Sequence, residues 1–305
     1  MGSTSGGAPA PRTGSPGGQW FPAEWPDRIR ALANGTLTPV LARPAATVLL
    51  LRDGPDGLEV FLLRRRLSMA FAAGAYAYPG GSVDPRDTDA RAAGPTHDAV
   101  PPAVVLAALR ELFEEAGVLL AGPGPDALVA DVTGQDWEAD RRALVARELS
   151  FSAFLAGRGL LPRGGLLRPW ARWITPEFES RRYDTWFFAA ALPPGQRTRN
   201  ASTEADHAAW LRPAEAVAGF DRGELLMMPP TAATLRQLLP HATAAQALAA
   251  AAAHDLTPVL ARARLDGDEV VLSWPGHEEF EKRVPGTPPP GPAPTGPPRR
   301  AAEGA

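Results

Sequence analysis

Cysteine is absent from the 305 residues, which excludes a disulfide framework, a thiolate nucleophile and any zinc site that depends on sulfur. Lysine is nearly absent: Lys282 is the only one, so arginine carries the positive charge and no P-loop lysine exists. Neither sign of charge dominates. The 31 basic and 34 acidic residues leave a formal −3, without the broad cationic field that draws nucleic acid to a surface. Long apolar runs are missing as well. The longest candidate, Val104 to Leu120, is interrupted by Arg110, Glu111, Glu114 and Glu115, well short of the ~20 apolar residues of a membrane span. The opening stretch, rich in Gly, Ser and Pro, has no apolar core of a secretory signal. These absences permit a cytoplasmic location, which is the expectation, and argue against nucleic acid or a membrane as the main partner; they leave the oligomeric state open.

What is present is an ordinary globular composition, 45% hydrophobic and 21% charged, enough to bury a core. Residues 1–19 and the Pro-rich 285–305 lack the apolar side chains that offset ordering entropy and are expected to be disordered tails around a single domain, 20–284. Ala45–Arg52 and Leu58–Arg65 are β-rich runs about an Asp-Gly-Pro-Asp-Gly turn, which predicts a hairpin. Ala75–Tyr78, Leu166–Ile174, Tyr183–Leu192 and His207–Leu211 read as further strands. Helices are expected from Pro102 to about Leu120, over Trp137–Leu155, from Pro213 to Val217 and over Thr231–Leu239, with Thr243 capping another over Ala244–Ala253. Val259–Ala263 and Glu269–Leu272 suggest a C-terminal hairpin. The fold class is therefore α/β in the mixed α+β sense, a mixed sheet flanked by helices.

The helix from Pro102 puts Val105, Leu109, Leu112, Phe113 and Ala116 on one stripe and Glu111, Glu114 and Glu115, at i, i+3 and i+4, on another face. Like charges at that spacing repel. Clustered carboxylates without sulfur or a nearby histidine suit a hard divalent ion, Mg²⁺ or Mn²⁺, better than zinc; a solvated acidic face is the alternative. Just upstream, Tyr78-Pro79-Gly80-Gly81-Ser82 is a glycine turn leading through Asp87 toward the same helix.

Gly81, Asp87 and the run Arg110-Glu111-Leu112-Phe113-Glu114-Glu115-Ala116-Gly117-Val118 together resemble the Nudix box: glycine, five residues, glutamate, seven residues, then Arg-Glu-aliphatic-x-Glu-Glu-x-Gly-aliphatic. Asp87 stands where that pattern has glutamate, and 22 residues instead of seven separate it from Arg110, an insertion placed at 88–102. Such an interruption resembles the coenzyme A diphosphatase branch of the family, that of the peroxisomal mammalian enzyme. Arg64 to Gly81, Trp170 to Pro176, Arg182 to Phe188 and Met228 to Thr231 add to that similarity, which extends over roughly Ala45 to Leu239.

The resemblance implies a Nudix-type mixed sheet sandwiched between helices, and hydrolysis of a diphosphate linkage with Mg²⁺ or Mn²⁺. Glu114, Glu115 and the Gly81 carbonyl would be metal ligands, Glu111 a ligand or the base that activates water, and Arg110 the residue orienting the glutamates. Glu204 is the candidate for a further carboxylate from a later loop, against a plain loop acid. Arg64 and Arg66, on one face of a strand end with Arg65 on the other, and Gly80 would contact substrate phosphates, or the arginines are exposed strand-end charges. Trp170, Trp173, Trp186, Phe187 and Phe188 read as core. The substrate implied is coenzyme A or an acyl-CoA, with another nucleoside diphosphate derivative or a catalytically silent nucleotide-binding module as alternatives.

Overall fold

The computed structural model describes residues 23–66, 73–87, 99–124, 126–202, 204–267, 269–273 and 282–284. The expected tails, and positions 88–98 of the insertion, lie outside these residues. Helix α1 (Trp25–Ala33), not foreseen from sequence, precedes the sheet and buries Trp25 and Ile29, four residues apart on one face. Strands β1 (Arg43–Gly54) and β2 (Gly57–Arg65) form the expected hairpin, with Gly54 opposite Gly57. β3 (Tyr76–Ala77) and β4 (Gly80–Ser82) follow, then α2 (Pro102–Ala116).

Beyond α2, the short β5 (Ala121–Gly122) leads to α3 (Gln135–Val145) and α4 (Phe151–Gly157), and β6 (Leu161–Pro162) pairs back on β5. Next come β7 (Arg168–Ile174), β8 (Tyr183–Ala191), β9 (Ala205–Leu211), α5 (Pro213–Asp221), α6 (Pro229–Leu238) and α7 (Ala244–Ala250). The Thr243 hydroxyl accepts from the Gln246 N–H at 3.2 Å, the expected cap. β10 (Val259–Leu260), β11 (Arg262–Asp266), β12 (Glu269–Ser273) and β13 (Lys282–Val284) close the described chain.

The main sheet runs β10-β7-β8-β1-β2-β3, with β4 also on β1 and β9 also on β2. β1–β8 and β10–β7 are parallel and the other pairs antiparallel, a mixed sheet. Alternation divides the core in two. Ala46, Val48 and Leu50 of β1, with Trp186 and Phe188 of β8, face α2 and the aromatic residues Phe151 and Phe154 of α4; Leu49 and Leu51, with Phe187, face Leu235 and Leu238 of α6. Helices on both faces of one mixed sheet are the architecture expected.

Besides shifts of a few residues at the ends of elements such as β9, α5, α6 and α7, three differences from expectation have a clear cause or change the pairing. α2 stops at Ala116, because Gly117 takes φ 66° and ψ 27°, and the N–H groups of Gly117 and Val118 turn back to Phe113 and Leu112. The expected helix over Trp137–Leu155 is two helices, broken at Arg147, whose φ of 60° no helix accommodates. The C-terminal hairpin forms from β11 and β12, but Val259 and Leu260 belong to the main sheet beside Trp173 and Ile174.

Candidate active site

α2 is buried nearly all round, from Val104 to Arg110 and again at Leu112, Phe113, Glu114 and Ala116. Its acidic residues are therefore not a solvated face. Arg110, 7% exposed, directs its fork at four oxygens: Nε donates to Asp87 at 2.9 Å, one terminal nitrogen to Glu111 at 2.8 Å and Glu114 at 3.2 Å, and the other to the Ser82 carbonyl at 2.8 Å. A planar guanidinium spans such a set where an ammonium cannot. It holds the start and end of the interrupted motif together across 23 positions, and Asp87, 1% exposed, reaches it despite its short side chain.

Opposite α2, the backbone at Gly80 and Gly81 comes close enough that a side chain on Gly81 would run into the Glu111 carboxylate. Gly80 donates its N–H to Glu115 at 2.9 Å, and the Ser202 hydroxyl donates to the other Glu115 oxygen at 3.3 Å. The loop bearing Ser202 is fastened to the end of α2. Ala201 donates to the Glu115 carbonyl, and buried Arg141 of α3 bridges the carbonyls of Glu114 and Ala201 at 2.8 and 2.9 Å. Between these elements lies a cavity of about 720 Å³ whose lining includes Gly80, Gly81, Glu111, Glu114, Glu115 and Glu204.

Burial sets the electrostatics. Desolvation, with repulsion from Glu111 and Glu204 added, pushes the Glu115 carboxyl up to about 8 against the Gly80 hydrogen bond. Desolvation raises Glu111 to about 7, although Arg110 pulls the other way, and it also raises Glu114. Unfolded glutamates titrate near 4.5, so between about pH 4.5 and pH 8 the folded chain binds more protons than the unfolded one. Stability must then fall as pH rises. Asp84 and Glu138, held down to about 2 by Arg86 and Arg141, act in the opposite sense only in acid. The Tm in EDTA is accordingly expected to be highest near pH 5 and to decline through pH 8. A Tm that climbed steadily from pH 5 to pH 8 would contradict these protonation states.

The structure brings Gly80, Gly81, Arg110, Glu111, Glu114, Glu115 and Glu204 to one cavity. Arg64 and Arg66 are not among the residues that line it. Arg64 Nε is bound to Asp206 at 2.7 Å, and a register shift at Arg64/Arg65 against β9 breaks the simple alternation expected there. Trp170, Trp173, Trp186, Phe187 and Phe188 are all core. Sequence reasoning missed Ser202, Arg141, Arg43 and Arg147 at or beside the site; none belongs to a spaced pattern, and their part depends on tertiary contacts.

The donor set fits a hard divalent cation: carboxylate oxygens that repel one another in a buried wall, with a backbone carbonyl beside them and no sulfur. Among the described residues no three acids or histidines already converge on one point, because Arg110 draws Glu111 while Gly80 and Ser202 draw Glu115. Arg110 takes one oxygen of Glu111 and one of Glu114, so the second oxygen of each is the one that would meet an ion. Among the described residues no helix is long and apolar enough to cross a membrane.

A family model described as the NUDT19 Nudix domain matches residues 89–238. The chain is 27% identical over 224 residues to the acyl-coenzyme A diphosphatase NUDT19 of Xenopus laevis, covering 59% of each chain. It is also 27% identical over 263 residues to the Homo sapiens protein of that name, covering 70% of this chain and 69% of the other. Its match thus spans about three fifths of the Xenopus relative's length. Among solved structures, a NUDIX hydrolase from Alicyclobacillus acidocaldarius superposes with a TM-score of 0.64 at 31% identity, covering 72% of this chain and 99% of that one. With that likeness extending over the other protein's whole length, the chain belongs to the Nudix hydrolase family.

Proposed function

We propose that this chain hydrolyses the diphosphate of coenzyme A or an acyl-CoA, giving adenosine 3′,5′-bisphosphate and 4′-phosphopantetheine or its acyl form. The observation that carries the hydrolase reading is that Glu111, Glu114 and Glu115, with Gly80 and Gly81 packed against them, line one cavity large enough for a diphosphate. The substrate rests on the names of the relatives and on the interrupted motif.

Glu111, Glu114, Glu115 and the Gly81 carbonyl would hold Mg²⁺ or Mn²⁺, which supplies positive charge against the charge developing on the phosphoryl oxygens. Arg110 fixes the rotamers of Glu111 and Glu114 from behind. Glu204, exposed in the cavity and without an ion pair among the described residues, accepts the proton from the attacking water, and the Gly80 backbone keeps the diphosphate close to the wall. Domain limits of 20–284 and a cytoplasmic location belong to the same proposal.

The test is turnover of CoA, acetyl-CoA, ADP-ribose and NADH with Mg²⁺, Mn²⁺ or EDTA, with products identified by mass spectrometry. CoA and its thioester are expected to be cleaved only with metal, and Glu204→Gln to lower kcat about 10²–10⁴-fold. Cleavage of ADP-ribose or NADH while both CoA compounds survive would leave a hydrolase of another diphosphate.

A further inference from the structure

Two guanidinium groups in the cavity have no part in the scheme above. Arg43, the first residue of β1, and Arg147, between α3 and α4, both line it and are exposed. Among the described residues, neither side chain has a hydrogen-bond or ion-pair partner. The neighbouring arginines are committed: Arg110 to Asp87, Glu111 and Glu114, Arg86 to Asp84, and Arg141 to Glu138.

The backbones carrying the two groups are nonetheless fixed. Arg43 donates its N–H to the Arg182 carbonyl at 2.9 Å. Arg86, gripped through two nitrogens by Asp84, sends its remaining one to the Arg147 carbonyl at 2.8 Å. Among the described residues Arg147 is the single non-glycine at positive φ, 60°. That angle is the left-handed cap ending α3, in which Arg147 donates its N–H to the Leu144 carbonyl and Glu148 to the Ala143 carbonyl, and the turn sets the arginine on the cavity lining.

We propose that Arg43 and Arg147 form an anion-binding rim that holds a phosphate of the substrate remote from the bond that is cleaved. The inference rests on the reading of this cavity as a diphosphate site and names the group that sets its specificity. A phosphomonoester beyond the scissile bond meets repulsion from Glu111, Glu115 and Glu204, so a cationic counterpart has to stand at the edge. Guanidinium forks match phosphate oxygens bidentately. The pair takes the role that the sequence suggested for Arg64 and Arg66, which lie outside the cavity lining.

The experiment uses the full chain with Mg²⁺ and titrates adenosine 3′,5′-bisphosphate and adenosine 5′-monophosphate by calorimetry, so that binding is read without turnover. Arg43→Gln and Arg147→Gln are each expected to weaken the bisphosphate about 10-fold or more and the monophosphate far less, while Arg147→Lys recovers part of the loss. Arg147→Gly separates binding from folding: it should lose affinity while its Tm stays level or rises, because glycine suits a φ of 60°. The inference is overturned if the wild-type chain does not bind the bisphosphate, if both glutamine variants bind it as wild type does, or if they weaken the two nucleotides equally. Failure of the CoA reading is distinguishable: CoA would survive incubation whatever the calorimetry gave.

Discussion

Glu115→Gln is expected to lower kcat by about 10²–10³-fold or more and yet leave the metal-free chain as stable as before, or more so. Both effects follow from one cause. The carboxylate sits between the Gly80 N–H and the Ser202 hydroxyl in a wall it shares with Glu111 and Glu204, and burial with that repulsion raises it to about 8. An amide keeps the shape, accepts from Gly80 with its oxygen and can donate to Ser202, and carries no charge to desolvate. In EDTA at pH 9, where the wild-type carboxylate is ionised, the variant should melt higher; at pH 5, where it is protonated, the two should coincide. Catalysis needs the charge that folding does not, since a neutral amide offers little to a divalent cation. Full turnover by Glu115→Gln with saturating Mg²⁺ or Mn²⁺ would remove the metal role from this residue, and a lower Tm at pH 9 would refute its electrostatic account.

Glu115 was legible in advance because its chemistry is local. Glu111, Glu114 and Glu115 share a face through helical spacing alone, and Gly117 and Val118 complete a pattern that few other sequences match. Asp87 was legible only from its place in the resembled pattern, with five residues between it and Gly81; its partner Arg110, at 2.9 Å, was not. What could not be read from spacing was which other side chains fold over the wall. Ser202 reaches the Glu115 carboxylate and Arg141 the Glu114 carbonyl across the fold, tertiary contacts with no periodic trace. Arg147 sits where a helix was expected to continue, and the reason it does not is a backbone angle, invisible in residue type because arginine is an ordinary helix former. The misplacement of Arg64 has the same origin: cation type and alternation were readable, but the Asp206 partner on β9 and the bulge beside it were not.

Arg110→Met is expected to be the most destabilising single change at the site, by about 3–5 kcal/mol at neutral pH, or a fall in Tm of roughly 6–20 °C for a domain of this size. The methionine fills much of the volume but abandons Asp87, Glu111 and Glu114, buried acids for which Arg110 is the shared counter-charge, and it leaves the Ser82 carbonyl without a donor. Losing a cavity-filling contact alone would cost the same at every pH. Losing a counter-charge would not: as the stranded acids protonate, the penalty shrinks, so the gap between variant and wild type should narrow markedly from pH 7.5 to pH 5. Arg110→Lys supplies the complementary reading. It restores one positive charge but not the fork, so it should recover part of the stability while kcat stays low, because a single ammonium cannot fix Glu111 and Glu114 and also span Asp87 and Ser82. Urea denaturation of the three proteins at both pH values, with kcat measured alongside, decides the matter. A pH-independent loss in Arg110→Met would show that packing, not charge, is what Arg110 contributes, and wild-type turnover by Arg110→Lys would show that its geometry is dispensable.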